Sequence, residues 1–448
     1  MTVQTLSQLR TRFAAALSTM YGREVPAYTT LVEVATEINS GLGGNQRVTA
    51  ERHGAIRVGT PEELRQVGQV FRGFGMHPVG FYDLRDTGNV PVPVVSTAFR
   101  PIDENELERN PFRVFTSMLT VDDERFFSAE LRGRLEAFLA KRTLFSPELL
   151  TLAARSAEGN GLTGADADRF VELATAAFEL SPEPTDRAWY SELAQINAVA
   201  ADIGGVTRTH INHLTPRVLD IDELYRRLGA RGLQMIDKIQ GPPRWNGPDV
   251  LLRQTSFRAL DETRLFVEPD GTVAAGTTRV RFGEVEQRGI ALTPAGRQRY
   301  DTLMAATDAA AATGLSWQEA GRSVWEASDF PTDELGLHQA GLGYFTYSAS
   351  ETGTVAATPI VYEDFLPRSA AGIFQSNLTD DGSMDGARAG AYYDIDWLAG
   401  TLGCEVHAPD DLYAAQSRRS LRACAEQLGL DPSQLTATTT ILETTDVR

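Results

Sequence analysis

Twice in this chain a short strand runs into a capped helix and then into further strands. That repeated order limits the folds open to it more than any other feature. The first occurrence begins with a strand over residues 53–58. Thr60, Pro61 and Glu63 follow as an N-cap, a proline at the first helical position and a glutamate at the third, which start a helix that Gly75 closes. Strand-like runs come next at 78–84, 92–99 and 112–119. The second occurrence begins with a strand over 210–218, where Ile211, Leu214 and Val218 favour a strand and Pro216 argues against a helix interior. A helix at 221–228 carries Asp220 and Asp222 near its start. A short strand near 235–239, a clear one at 251–257 and a hairpin around Pro269, Asp270 and Gly271 complete the set, the return arm running on through 278–287. The halves share no obvious residue-level similarity, so the repeat rests on element order. Two βαβββ units predict an α+β fold in which curved sheets enclose a shared cavity.

The rest of the chain is read around these units. Leu6, Leu9, Phe13 and Leu17, then Leu31, Val34 and Ile38, recur at helical spacing and predict two N-terminal helices in 1–45. The first βαβββ unit occupies 46–121 and the second 206–292. Between them, 122–205 shows helical periodicity and reads as an insertion with no chemistry of its own. Residues 293–448 predict helices near 293–312, 317–325 and 412–428, with strands at 344–347 and 360–365. A Gly- and Asp-rich loop at 377–390 and a frayed Thr-rich end complete a single domain.

A formal net charge of −18 argues against a nucleic-acid backbone or an anionic membrane as partner. An anionic small substrate would then need a local arginine. Cys404 and Cys424, the two cysteines, lack metal-ligand spacing and are expected as reduced thiols in a cytoplasmic protein. The first residues show no basic head followed by an apolar run, and no stretch approaches the roughly 20 apolar residues of a membrane span.

Imidazole is the commonest transition-metal ligand, and two of the chain's six histidines, His210 and His213, sit three apart on the strand that opens the second unit. Side chains alternate along a strand, so the two are expected to point to opposite faces and only one can look into a given cavity. His53 opens the first unit, and Glu284 and Glu286 lie on the second unit's last strand, sharing a face. Two imidazoles and one carboxylate make a facial triad that leaves about three positions of an octahedron open on Fe(II). Arg57 shares a strand face with His53 and suits a bidentate clamp on a carboxylate; a surface partnership with Glu51 or Glu62 is the alternative. As a substrate clamp it should matter little to thermal stability.

Long blocks then carry a resemblance that runs nearly end to end. They are Glu-Arg-His-Gly-Ala-Ile-Arg-Val-Gly-Thr at 51–60, His-Pro-Val-Gly at 77–80, Ser-Thr-Ala-Phe-Arg at 96–100 and Pro-Phe-Arg-Val-Phe-Thr at 111–116. His-Ile-Asn-His-Leu-Thr-Pro-Arg at 210–217, Leu-Arg-Gln-Thr-Ser-Phe at 252–257 and Arg-Phe-Gly-Glu-Val-Glu-Gln-Arg-Gly at 281–289 continue them, and 361–367 and 369–377 close the set. The chain resembles the 2-oxoadipate dioxygenase/decarboxylase (hydroxyglutarate synthase) family of the vicinal oxygen chelate superfamily. The resemblance implies Fe(II) held by His53, His213 and Glu284, with His53 and Arg57 also touching substrate. His210 and Glu286 then become neighbours of the site, and His77 keeps no assigned role. It further implies that a 2-oxo acid, 2-oxoadipate in the family, reacts with O2 to give CO2 and the one-carbon-shorter 2-hydroxy acid, 2-hydroxyglutarate, in lysine catabolism. Two other readings compete. A glyoxalase-like isomerase or lyase would fill a fourth protein ligand, and 112–119 offers no His or carboxylate for it. A non-catalytic binder of small acids would not need an open redox metal.

One position departs from the family pattern. Arg368 stands where a small apolar residue that touches substrate is expected, and it either holds a distal carboxylate or turns its guanidinium to solvent. If Arg368 reads the substrate's tail, Arg368→Val should weaken the preference for 2-oxoadipate over a monocarboxylic 2-oxo acid of equal length. Specificity constants on the two acids measure this, and an unchanged ratio places Arg368 outside recognition.

Overall fold

The computed structural model describes residues 3–87, 91–279, 281–351, 353–369, 377, 384, 388 and 390–432. All but four positions of the expected 377–390 loop, and the whole Thr-rich end, lie outside these residues. The chain forms two compact units. One comprises the residues up to Asp237, Thr255–Val285 and Phe365–His407; the other comprises Lys238–Gln254, Glu286–Asp364 and the residues from Ala408 on.

In the first unit, β1 (Val3–Thr5) leads into helices α1 (Leu6–Glu24), α2 (Pro26–Gly41) and α3 (Gln46–Ala50). Thr5 and Gln8 cap α1 reciprocally, backbone to side chain in both directions. Next come β2 (Arg52–Val58), α4 (Pro61–Arg72), β3 (His77–Asp83), β4 (Val94–Arg100), the short α5 (Glu104–Arg109) and β5 (Arg113–Leu119). The start of α4 shows how closely sequence chemistry sets a boundary. The Thr60 hydroxyl accepts from the Glu63 amide, and the Glu63 carboxylate turns back to accept from the Gly59 amide at 2.6 Å. Arg142 grips the same carboxylate with two nitrogens, at 2.5 and 2.7 Å.

The insertion contains α6 (Ala129–Leu139), α7 (Pro147–Gly159), β6 (Gly161–Thr163), α8 (Gly164–Ala176), β7 (Thr185–Asp186), α9 (Arg187–Ala194) and α10 (Ala198–Gly204). It is helical as expected, apart from β6, which pairs with β1, and β7. The second repeat follows as β8 (Ile211–Pro216), α11 (Ile221–Ala230), β9 (Leu252–Ser256), β10 (Glu262–Val267), β11 (Val273–Thr278) and β12 (Glu284–Arg288). The run near 235–239 contributes only isolated bridges, Met235 to Phe257 and Gln240 to Gln254. The hairpin β10–β11 pairs with β7, and β12 is a separate strand that pairs with β9. The return arm is therefore not continuous through 287, contrary to expectation: it ends at Thr278, and β12 begins at Glu284.

The main sheet has five strands in the order β3-β4-β5-β2-β8. β2 lies parallel to β5, and every other neighbouring pair is antiparallel. The strand that begins the first βαβββ unit thus lies beside the strand that ends it. Its free edge is taken by β8, the strand that begins the second, so the fold is α+β with an open sheet shared by both repeats. The apolar side of this unit is dominated by aromatic contacts, with Phe74 stacked between Phe13 at 4.4 Å and Phe170 at 4.3 Å.

In the other unit, α12 (Pro294–Ala311), α13 (Trp317–Glu326) and α14 (Glu334–Gln339) precede a hairpin of β13 (Phe345–Ala349) and β14 (Val355–Pro359), and a helix over Pro409–Leu428 follows. The second expected strand, at 360–365, is displaced. The ladder runs through the plainer Val355–Pro359, while Ile360–Leu366 is held by single contacts such as the bridge from Val361 to Ile290. Its core gathers around Trp325, which contacts Trp245, Tyr300 and Phe330. Cys404 and Cys424 are free thiols, and among the described residues no helix is long and apolar enough to cross a membrane.

Candidate metal centre

The site grows out of the pairing of β2 with β8. In register, Gly54 faces Leu214 and Ala55 faces His213, but Ile56 faces Ile211, so Asn212 is an extra residue in β8. Such a bulge resets the alternation of side chains. Ile211 and Leu214 accordingly share a face although three residues apart: a Cβ placed on Gly54 would lie 2.8 Å from Ile211 and 3.2 Å from Leu214. His210 and His213 then share the other face, the one that carries His53 and Arg57 on β2. The expectation that the two imidazoles point to opposite faces fails, because strict alternation assumes a regular strand.

They nevertheless serve different clusters. His213 Nε2 lies 3.3 Å from one oxygen of Glu284, and His53 Nε2 lies 3.5 Å from the other. The two rings are nearly perpendicular with centroids 5.5 Å apart, and one ligand atom from each of the three residues falls within 4.8 Å of the others. All three side chains are buried. Phe365 meets the His53 ring edge-on at 5.0 Å, Phe282 lies against His213 at 5.1 Å, and Phe115 backs Phe365. A carboxylate in so apolar a setting is costly unless a cation meets it, and two nitrogen donors with one oxygen donor suit a first-row transition metal. The residues fit a metal of that class.

Glu286 is occupied elsewhere. Its two oxygens accept from Nε and a terminal nitrogen of Arg288, both at 2.8 Å, and both residues are fully buried. His77 opens β3 with its ring 6.2 Å from that of His407, and it is no part of the cluster. Arg368 is exposed, three residues beyond Phe365.

Arg57 is not the exposed surface charge of the alternative reading; Arg113 and Arg217 hold Glu51, and Arg65 holds Glu62. Arg57 is buried, and its Nη1 donates to Asp202 Oδ2 at 2.5 Å. Asp202 belongs to α10, in the insertion that sequence reading credited with no chemistry. It also accepts from Asn212 Nδ2 at 2.8 Å and faces His210 Nε2 at 3.3 Å. Burial pushes the His210 imidazole down to about 3; Asp202 works against this, and Arg264, Arg281 and Arg57 add to it. Burial alone would raise the Asp202 carboxyl. A protonated His210, then Arg57 and Arg264, oppose burial and together bring it below the usual range.

Tyr21 of α1 is a second residue that sequence reading missed. Its hydroxyl lies 2.9 Å from the Asn212 carbonyl and 2.8 Å from the Phe282 carbonyl, one hydrogen serving both. It thereby holds the bulge and the approach to Glu284 together. Periodicity alone reports only that Tyr21 is core.

A family model for 2-oxoadipate dioxygenase/decarboxylase matches residues 13–377. The chain belongs to that family. A Mycobacterium bovis 2-oxoadipate dioxygenase/decarboxylase is 56% identical over 425 residues, covering 93% of this chain and 98% of its own. A Pseudomonas putida protein of the same name is 41% identical over 461 residues, covering 94% and 97%. The crystal structure of the Pseudomonas putida hydroxyglutarate synthase in complex with 2-oxoadipate superposes with a TM-score of 0.80 at 38% identity, covering 96% of this chain and 99% of that one. A glyoxalase-superfamily protein from Ralstonia eutropha, with a TM-score of 0.52 at 21% identity over 64% of this chain and 84% of its own, shares the fold.

The buried His210 carries a pH dependence. An unfolded imidazole takes a proton near 6.5, whereas the folded one resists until about 3. The unfolded chain therefore binds more protons in that window. The stability His210 contributes is complete above the upper value and is lost as pH falls toward the lower. His210→Gln should flatten the slope of melting temperature against pH between about 6.5 and 4 relative to the parent. Parallel curves would assign the acid lability to another group.

Proposed function

We propose that this chain is an Fe(II)-dependent dioxygenase/decarboxylase that converts 2-oxoadipate and O2 to 2-hydroxyglutarate and CO2. The observation that carries the reading is the convergence of His53, His213 and Glu284, buried and mutually in reach, in a chain of this family. Two imidazoles and one carboxylate would hold Fe(II), which when bound supplies positions for a bidentate 2-oxo acid and for O2. The isomerase or lyase alternative is disfavoured because β5, the matching strand of the first unit, presents Arg113, Phe115 and Ser117 rather than a ligand.

The chain's own residues would then bind and shield. Phe365 and Phe282 lie against the two histidines, with Phe115 behind Phe365, and would exclude water from the reacting carbon. Arg57 sits four residues along β2 from His53 on the same face, about 13 Å between Cα atoms at the usual strand rise. That spacing suits the far carboxylate of a 2-oxo diacid rather than the chelating end. Arg368 is exposed, which on this reading leaves the far carboxylate to Arg57.

Two measurements test the reading. The Fe(II)-loaded protein should consume O2 and release CO2 one for one with 2-oxoadipate across a panel of 2-oxo acids. His213→Ala should lose the metal while His210→Gln retains it. Metal loss in both, or only in the His210 variant, would mean that the wrong imidazole has been assigned.

Arg57 needs a different substitution from the one its sequence position suggests. Arg57→Ala would strand the Asp202 carboxylate, at a cost of about 3–5 kcal/mol, so the expectation of unchanged stability gives way. Arg57→Lys keeps the cation and loses the planar fork. It should raise KM for 2-oxoadipate with little change in melting temperature, by the equivalent of about 1.5–3 kcal/mol or roughly tenfold to a hundredfold. An unchanged KM would leave Arg57 a structural residue.

A further inference from the structure

An arginine that recognises a carboxylate must be held still, because its long side chain otherwise gives up rotamer freedom each time substrate binds. In this chain the holding group is visible. Asp202 is 3% exposed and sits at the end of α10, whose Val199, Ala200, Ala201 and Ile203 share one apolar cluster with Ala55 and Phe115. α10 therefore covers the same face of β2 that carries His53 and Arg57. Among the described residues the Asp202 side chain meets three partners: Arg57, Asn212 and His210. Only Arg57 among these is a permanent cation, since His210 stays neutral above about 3.

Asn212 is the bulge residue, so the irregularity that turns His210 to the face of Arg57 also brings an amide to Asp202. The arrangement fixes Arg57 at both ends. Its backbone carbonyl accepts from the Thr209 hydroxyl at 2.7 Å, and its terminal nitrogen donates to Asp202.

We propose that Asp202 is a positioning residue that acts through Arg57, setting the orientation in which the guanidinium receives the far carboxylate of the substrate. This rests on the reading of Arg57 as the substrate's anchor. Asp202 touches no substrate atom itself. Its effect appears as binding rather than chemistry, and it is confined to acids with a second carboxylate. The pair is neutral before substrate enters, so no uncompensated charge is stored in a buried site.

The test is a cycle of Asp202→Asn, Arg57→Gln and the double variant, all metal-loaded, on 2-oxoadipate and on a monocarboxylic 2-oxo acid of equal length. Asp202→Asn should raise KM for the diacid by roughly tenfold or more, with kcat within about twofold and metal content unchanged. KM for the monocarboxylic acid should hold. On the Arg57→Gln background the same substitution should add nothing further.

An unchanged KM in Asp202→Asn overturns the proposal while leaving Arg57 as anchor. A lowered KM also overturns it, since Asp202 would then be competing with substrate for Arg57. A full additional rise in the double variant overturns action through Arg57. If Arg57→Gln itself leaves KM unmoved, the anchor reading fails, and the positioning role with it. Should Asp202→Asn not fold, Asn212→Ala removes one of Asp202's donors but not its ion pair. A smaller rise in diacid KM is then expected, and none overturns the proposal.

Discussion

The pairing of β2 with β8 is the contact on which the site depends. Each strand begins one of the two βαβββ repeats, and their antiparallel ladder brings His53 and His213 within one ring contact of each other. Regular pairing would not suffice. Without the extra residue at Asn212, His210 would be turned to the face occupied by Gly54 and Ile56, and the polar cluster around Asp202 would lose a member. The bulge costs ladder hydrogen bonds, and Tyr21 recovers part of that by capping the Asn212 carbonyl from α1. An N-terminal helix outside both repeats is thus tied directly to the geometry of the centre.

The face of β2 that looks toward the triad is organised by charge, whereas the opposite face is apolar and packed by Ile211 and Leu214. At one end Glu51 is bound by Arg113 at 2.8 Å and Arg217 at 3.2 Å, with the side chains of all three buried. Glu284 lies between the two histidines, and Arg57 meets Asp202 at the far end. Each buried ion has an opposite partner or a metal-competent set of donors, as the cost of desolvation demands. Replacing one member of such a series strands its partner. That is why single substitutions here confuse stability with function unless charge or shape is conserved.

What could be read in the sequence was whatever repeats or caps. The Thr60-Pro61 start of α4, the strand character of β2 through β5 and the helical insertion follow from local chemistry, and the structure contains them. What could not be read depends on register. Periodicity assigns faces only to an unbroken strand, so the bulge at Asn212 was invisible, and with it the shared face of His210 and His213. Asp202 and Tyr21 lie in helices whose apolar spacing advertises nothing but core; their partners are 145 and 191 residues away. Glu284 and Glu286 are equivalent by spacing; the two imidazoles beside the first and Arg288 on the second separate them.

The two repeats contribute unequally, and the inequality bears on chemistry. Glu284 is the first residue of β12, the last strand of the second repeat; the first residue of β5, the last strand of the first, is Arg113. Arg113 stands directly beside His53 in register. A guanidinium has no lone pair to offer a metal, and this one is bound to Glu51. The last strand of the first repeat thus begins with a cation that has its own counter-ion. On the proposed reading, the centre keeps three protein ligands, and the open positions that an oxygenase requires follow from that. On that reading the fold shared with a glyoxalase-superfamily protein does not bring a closed donor set with it, because β5 offers the centre no further ligand.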